Sequence, residues 1–504
     1  MSASRTVLGV VVVLAVASVG PGLAGGARPP HEAAEDPAGL RAGSVIETQA
    51  PNESATVVQT VTYRNATDTT GSIVANHSYR IGENVSALVV YDYDHGTVLE
   101  SDGFTQQSNG RWTWDGEAAA ATLTVRMSVN QSSRHFSGLR WVDVGNWTLA
   151  NPRTDFAYRD GDRSEWVYSW QDAPSIDRRT RVVDESRGFA GQSVVYLGAY
   201  DTETVEATNQ TFRLVRPESA EMADSPEAVL RSLRSASRHL RVGARDEVVN
   251  AFAGPSPLRH GGTAAMGADG RQDFWASASA DAEAPTSIWV HEYVHTRQSF
   301  VLGPEMAWFR EACASYYAAV LSLRAPTNES GTFSEFRDVL ARDDGANATL
   351  SNRSSWSSTY VPYTKGTRVL AALDGRIRNA TDGERTLQDA FRRLNRRDEV
   401  VTADVFASVL ADVSGESQQS WLETHVHDGE RASPPRSPYA YTVPGGAHDA
   451  DDDDLNATAE RRHGSHPFRA DTDGDGVEDG AELRHGTDPT DPYSTLARLN
   501  GTSS

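Results

Sequence analysis

Residues 286–295 read Thr-Ser-Ile-Trp-Val-His-Glu-Tyr-Val-His, and the reading of the chain starts there. On a helix, His291 and His295 stand about one turn apart on one face, with Glu292 beside them. Two imidazoles at that spacing can ligate one metal ion, and the carboxylate between them can accept a proton from water. Thr286 and Ser287, behind Pro285, are residues that cap a helix, while Ile288, Trp289 and Val294 are apolar anchors. The pattern predicts a buried helix over 286–300 that carries a metal-binding pair. Two core histidines that merely pack are the bland alternative; the Glu between them favours the metal.

A catalytic zinc takes three protein ligands and leaves one position for water, so a third donor must follow. Gln298 and Val301 stand where the metzincin pattern needs Gly and His, which excludes that arrangement. The carboxylate candidates are Glu305, in a Gly-Pro-Glu turn, and Glu311, in Trp308-Phe309-Arg310-Glu311-Ala312-Cys313-Ala314-Ser315-Tyr316-Tyr317; Glu311 is the choice. This run resembles the second helix of the gluzincin superfamily, Trp-x-x-Glu-Gly-x-Ala-x-Tyr, at Trp308, Glu311, Ala314 and Tyr316. Ala312 replaces the usual Gly, and fifteen residues separate His295 from Glu311, a little fewer than in thermolysin or the aminopeptidase N family.

Downstream, Val361-Pro362-Tyr363-Thr364-Lys365-Gly366 resembles the tyrosine motif of the aminopeptidase N and leukotriene-hydrolase family. Together these resemblances imply a zinc peptidase. His291, His295 and Glu311 would hold the ion, Glu292 would act as general base, and Tyr363 would support the transition state. Lys365, the only lysine in the chain, is either part of that motif or a surface residue. Relatives that cleave from the amino terminus hold the substrate amine with a Glu in a Gly-x-Met-Glu-Asn strand. Here Ala264-Ala265-Met266-Gly267-Ala268 offers no carboxylate, which leans away from a typical aminopeptidase.

Around this centre the chain divides into segments. A length of 504 residues exceeds one compact core. Residues 1–24 carry Arg5, the apolar run Val7–Val19 and small residues up to Ala24, the layout of a cleaved secretory signal. Residues 25–48 form a Pro/Ala/Gly-rich linker. Over 49–212, alternating runs such as Thr56–Tyr63, Ala87–Tyr93, Thr122–Val129 and Ser193–Tyr200 predict a β-rich, sandwich-like domain. Helical spacing dominates 218–430, beginning at the cap Ser225-Pro226-Glu227 and continuing through 286–300, 306–324, 363–377, 385–396 and 403–425. Strand-like stretches near Val248–Phe252 and Phe274 fall in the same part. A proline-rich linker, 431–446, leads to an acidic segment, 447–494, and a tail, 495–504. The expected fold is α+β and multidomain: a β-rich N-terminal domain, a mainly helical thermolysin-like catalytic domain and a small calcium-repeat tail.

In the acidic segment, Asp471, Asp473, Asp475, Gly476, Val477, Asp479 and Glu482 occupy positions 1, 3, 5, 6, 7, 9 and 12 of an EF-type calcium loop. A shift of 22 residues brings Asp449, Asp451, Asp453 and Glu460 onto Asp471, Asp473, Asp475 and Glu482. The segment is similar to the thrombospondin type 3 calcium repeats of extracellular proteins. Asp454 and Ala457 replace the preferred Gly and Asp in the first copy, so weaker calcium binding is expected there; a solvated acidic tail is the alternative.

Composition narrows the remaining choices. With 69 acidic and 47 basic residues the net charge is −22, an acidic, lysine-poor balance similar to that of halophilic proteins. It disfavours nucleic acid, whose phosphates need a basic face. Cys313 is the only cysteine, so no intrachain disulfide can form. Thirteen of seventeen asparagines lie in Asn-X-Ser/Thr, against about three by chance, which suggests a glycosylated, exported surface. After the signal no segment is long enough to span a bilayer. The expectation is a peptide or protein substrate, an extracellular or cell-surface location, and possible association with the cell envelope. The alternatives are a non-catalytic, metal-binding surface protein and, among enzymes, an aminopeptidase.

Overall fold

The computed structural model describes residues 55–494, apart from 92–95, 133–135, 153, 162–164, 170–173, 184–186, 267–271 and 325–331. The expected signal, the first linker, the final tail and Gly267 lie outside the described residues. The chain forms two compact units. One comprises residues up to Thr202 with 215–221 and 250–278; the other comprises 203–214, 222–249 and 279–504.

The first unit is β-rich. Val57–Asn65 lies between Ser72–Ile81, antiparallel to it, and Ile176–Val182, parallel to it; Ala120–Ser128 and Gly96–Asp102 complete a five-stranded sheet. Alternation is strict in Ala120–Ser128, where Ala121, Leu123, Val125 and Met127 are buried and their neighbours are not. Two more five-stranded sheets share the core, in which the Tyr79 ring meets Phe104 and Phe156 edge-on at 5.4 Å. More than two sheets thus contribute to a unit expected as a two-layered sandwich. Strands such as Trp112–Trp114, Thr148–Ala150 and Val167–Tyr168 are too short to build the broad layers of a sandwich.

From Asn250 onward the strand-like stretch near Val248–Phe252, and all of that near Phe274, join this unit rather than the helical one. Ala251–Gly254 runs parallel to Phe274–Ser277, and Gly262–Met266 pairs antiparallel with Gln272–Ala276. Phe252, Leu258, Ala265 and Trp275 enter the same core. Asp273, fully buried, accepts hydrogen bonds from the Ser193 and Val194 amides and from Asn250 Nδ2. Those partners lie up to 80 residues away, a pairing that no local pattern announces.

The second unit is helical. Helix α1, Pro226–His239, starts where expected: Ser225 caps it by accepting from the Ala228 amide, with Pro at the first turn. Helix α2, Ile288–His295, is capped by Ser287, which accepts from the Val290 amide. It stops five residues short of the expected end. The Thr296 hydroxyl bonds back to the Tyr293 carbonyl, and Arg297 turns aside to the Gly243 and Ala244 carbonyls and the Tyr293 hydroxyl. Helix α3 is Ala307–Ser322, and α4, Thr332–Ala341, was not anticipated. One π-helical turn, Pro362–Gly366, leads into α5, Thr367–Ala380. Next come α6, Leu387–Leu394, and α7, Ala403–Ser414, which ends at Gly415 in the left-handed region (φ 78°); a separate short α8, Gln419–Leu422, follows where one helix was expected to run on to 425. Among the described residues no helix is long and apolar enough to cross a membrane.

Two contacts set the spacing around α3. The Tyr316 hydroxyl donates to Asp374, which also takes Arg378 and the Leu387 amide, tying α3 to α5 and α6. A Cβ on Gly366 would lie 2.7 Å from the Ala312 Cβ, so α3 and the π turn touch almost backbone to backbone. Ala312 is tolerated in place of Gly because its partner has no side chain. Gly366→Ala should therefore push the π turn off α3, costing about 1–3 kcal/mol in chemical denaturation; an unchanged midpoint would contradict this packing. The stretch expected as a linker, 431–446, packs here too: Tyr441 is buried against Phe336, and its carbonyl accepts from Arg324.

Candidate metal centre

Helices α2 and α3 pack together and bring three donor atoms to one point. His291 Nε2 and His295 Nε2 lie 3.1 Å apart, and Glu311 Oε2 is 3.3 Å from the first and 3.2 Å from the second. Donors on a tetrahedron of metal–ligand length about 2.0–2.1 Å are separated by about 3.3 Å, so the triangle fits zinc. All three side chains are buried. The set is two nitrogens and one carboxylate, the three protein donors that a hydrolytic zinc site uses. Glu305, the other carboxylate considered, points elsewhere and accepts from the Ala403 amide.

The ring nitrogens facing away from this point show why Nε2 would be the ligating atom. His295 Nδ1 is 3.0 Å from Gln298 Oε1, and Gln298 Nε2 donates to the Arg310 carbonyl at 2.9 Å, which orients the amide so that its oxygen faces the ring. The proton of His295 is thereby held on Nδ1, leaving the Nε2 lone pair free to ligate. His291 Nδ1 meets Ser315 Oγ at 3.4 Å. In the sequence Gln298 served only to exclude the metzincin pattern and Ser315 stood only within its run, although they lie three residues from His295 and four from Glu311. Gln298→Leu should weaken zinc binding about 10–100-fold while leaving the helix content intact. Competition with a chromogenic chelator measures this, and unchanged affinity would refute the role.

Burial would lower the His295 pKa, but Glu311 beside it raises it above the ordinary value. Burial would raise the Glu311 pKa, but His295 and His291 hold the carboxyl well below the usual range, so it is an anion. Burial lowers His291 to about 4, favouring neutral imidazole. Glu292 is fully buried beside the ligands, and its charge acts on His295. The Tyr363 ring stacks on that of His291, with centroids 5.8 Å apart and planes at 21°, so the π turn delivers it to the centre.

Lys365 is a surface residue on neither count. It is 3% exposed, and its ammonium donates to the carbonyls of Ala346, Ala348 and Gly429. Three donors meet three acceptors, a clasp behind the turn that carries Tyr363.

In the acidic segment the two repeats have the same backbone. The Asp452 and Asp454 amides donate to Asp449, just as those of Gly474 and Gly476 donate to Asp471. Asp452 and Asp454 occupy the left-handed region at φ 59° and 74°, matching the two glycines at 81° and 93°. Asp, whose short polar side chain bonds locally, adopts that region more readily than most residues, so Asp454 leaves the first loop intact. Helices Ala457–His463 and Asp479–His485 follow, here α9 and α10. Asp449, Asp451 and Asp453 converge, as do Asp471, Asp473 and Asp475. Glu482 is buried near Asp473 and Asp475, and the backbone at Val477 donates to Asp475.

With this geometry in place, comparison with solved structures is informative. An aminopeptidase N family protein from Idiomarina loihiensis superposes with a TM-score of 0.52 at 13% identity, covering 75% of this chain and 77% of that one. The fold is that of the aminopeptidase N family. An M1 zinc metallopeptidase from Deinococcus radiodurans is similar over 75% of this chain and 94% of its own, at 14% identity and a TM-score of 0.46. A point mutant of it bound to Tyr-Ser-Ala gives 0.48 at 13% identity, over 76% of this chain and 95% of that one. Residues 471–492 match the bacterial TSP3 repeat family. No curated relative matches the sequence.

Proposed function

We propose that the protein is an exported zinc peptidase that hydrolyses peptide bonds at His291, His295 and Glu311, with calcium binding in its acidic repeats. The observation that carries this reading is the convergence of two lone-pair nitrogens and a carboxylate at 3.1–3.3 Å, with an outward ring nitrogen tied to Gln298. Zinc bound there supplies an acidified water, its pKa lowered from near 16 to about 7, and a Lewis acid for the carbonyl. Glu292 accepts the proton from water and returns it to the leaving amine. The Tyr363 hydroxyl, presented from the π turn, donates to the oxygen of the attacked carbonyl as it gains charge. Lys365 keeps that turn in place.

Export is supported by the Val7–Val19 run and by the asparagines of the Asn-X-Ser/Thr pattern. None of the ten within the described residues is buried, as a glycan acceptor requires. The test is metal analysis of the purified protein together with digestion of a peptide library. One zinc per chain with cleavage is expected; bound zinc with no turnover on any peptide would favour a non-catalytic, metal-binding surface protein instead. The shared fold raises the aminopeptidase reading, and Gly267, without a carboxylate, opposes it. Substrates with blocked and free amino termini separate the two, and cleavage of blocked peptides is the expected result.

A further inference from the structure

The first acidic repeat lacks an acid at its ninth position, where Ala457 stands, and by spacing alone its site is incomplete. The tertiary structure fills the gap from elsewhere. One carboxylate oxygen each of Asp453, Glu460 and Asp479 lie within 4.8 Å of one another, and all three residues are buried. Asp479 belongs to the second repeat, where its position suggested a role in that loop. Its two oxygens also accept from the amide and hydroxyl of Thr472, at 2.7 and 2.6 Å, which aim the carboxylate.

Glu460 points independently to a ligand. It is 0% exposed, and among the described residues neither of its carboxylate oxygens has a hydrogen-bond partner. Asp453, also 0% exposed, uses Oδ1 to accept from the Leu455 amide and leaves Oδ2 in the same condition. Unpartnered buried carboxylates cost several kcal/mol each unless a cation compensates them. Contact between the repeats is tight as well, since a Cβ on Gly480 would fall on the Asp453 carbonyl oxygen. The start of α10 is therefore seated on the first loop.

We propose that Asp479 is a ligand contributed by the second repeat to the first, completing with Asp453 and Glu460 a site for one calcium-class divalent cation that joins the repeats. An all-oxygen, carboxylate-rich set selects a hard cation over zinc. The proposal rests on the reading of this segment as calcium-binding, and the experiment separates the two. Calorimetric calcium titration of the zinc-loaded full-length protein is compared with Glu460→Gln, which marks the first site, and Asp475→Asn, which marks the second. Two binding events are expected in the wild type. Asp479→Asn should weaken the event marked by Glu460→Gln at least about 10-fold. Adding Ala457→Asp to Asp479→Asn should restore that event, a recovery that loss of folding would not allow. If Asp479→Asn alters only the event marked by Asp475→Asn, the shared site is refuted while the calcium reading stands. If no calcium binds the wild type, both fail.

Discussion

Glu292→Gln should leave one zinc per chain and reduce peptide hydrolysis by about 10²–10⁴-fold. The amide keeps the volume of the fully buried side chain, so α2 and the two imidazoles should stay in place. What it loses is the ability to accept a proton, and the other carboxylate at the centre, Glu311, does not fill that role because it is already turned to His291 and His295. Zinc content by mass spectrometry and kcat on a peptide cleaved by the wild type test this together. Retained wild-type turnover would remove Glu292 from the mechanism; loss of zinc along with activity would show that it acts in holding the ion.

The second large effect is expected at Glu311. Glu311→Ala removes the only anion in the donor triangle and leaves two imidazoles whose lone pairs converge at 3.1 Å with nothing negative to complete the charge balance of the ion. Since loss of a supporting hydrogen bond costs about 10–100-fold in affinity, loss of a ligand should cost at least about 100-fold, with activity falling in parallel. Equilibrium dialysis against buffered zinc measures the loss. If the variant binds zinc as tightly as the wild type, another donor completes the site, and the choice of Glu311 over Glu305 fails. Glu305, engaged with the Ala403 amide, is the control whose removal should leave zinc affinity unchanged.

The centre was legible in sequence to unequal depth. His291 and His295 were readable because the geometry of a helix fixes the distance between residues four apart, whatever surrounds them. Glu311 needed more, because fifteen residues of intervening chain could place it almost anywhere; the motif around it, not its spacing, pointed to it. The supporting role of Gln298 escaped notice although it is only three residues from His295. Its role depends on the Arg310 carbonyl of the next helix, which turns the amide oxygen toward the ring. Lys365 stood out by its rarity, yet its destination behind the tyrosine turn required the carbonyls of Ala346, Ala348 and Gly429 to be brought together.

What the chain's residues determined on their own is local and periodic. The capped helix with its histidine pair, the alternation of Ala120–Ser128 and the 22-residue repeat of aspartates all follow from fixed spacings along a helix, a strand or a loop. What only the folded molecule decided is where distant segments meet: the strands at Ala251 and Phe274 in the β-rich core, the touch of Ala312 on Gly366, and the reach of Asp479 into the first repeat. Such meetings balance buried area and compensated charge over the whole chain, so no window of neighbouring residues contains the information that places them.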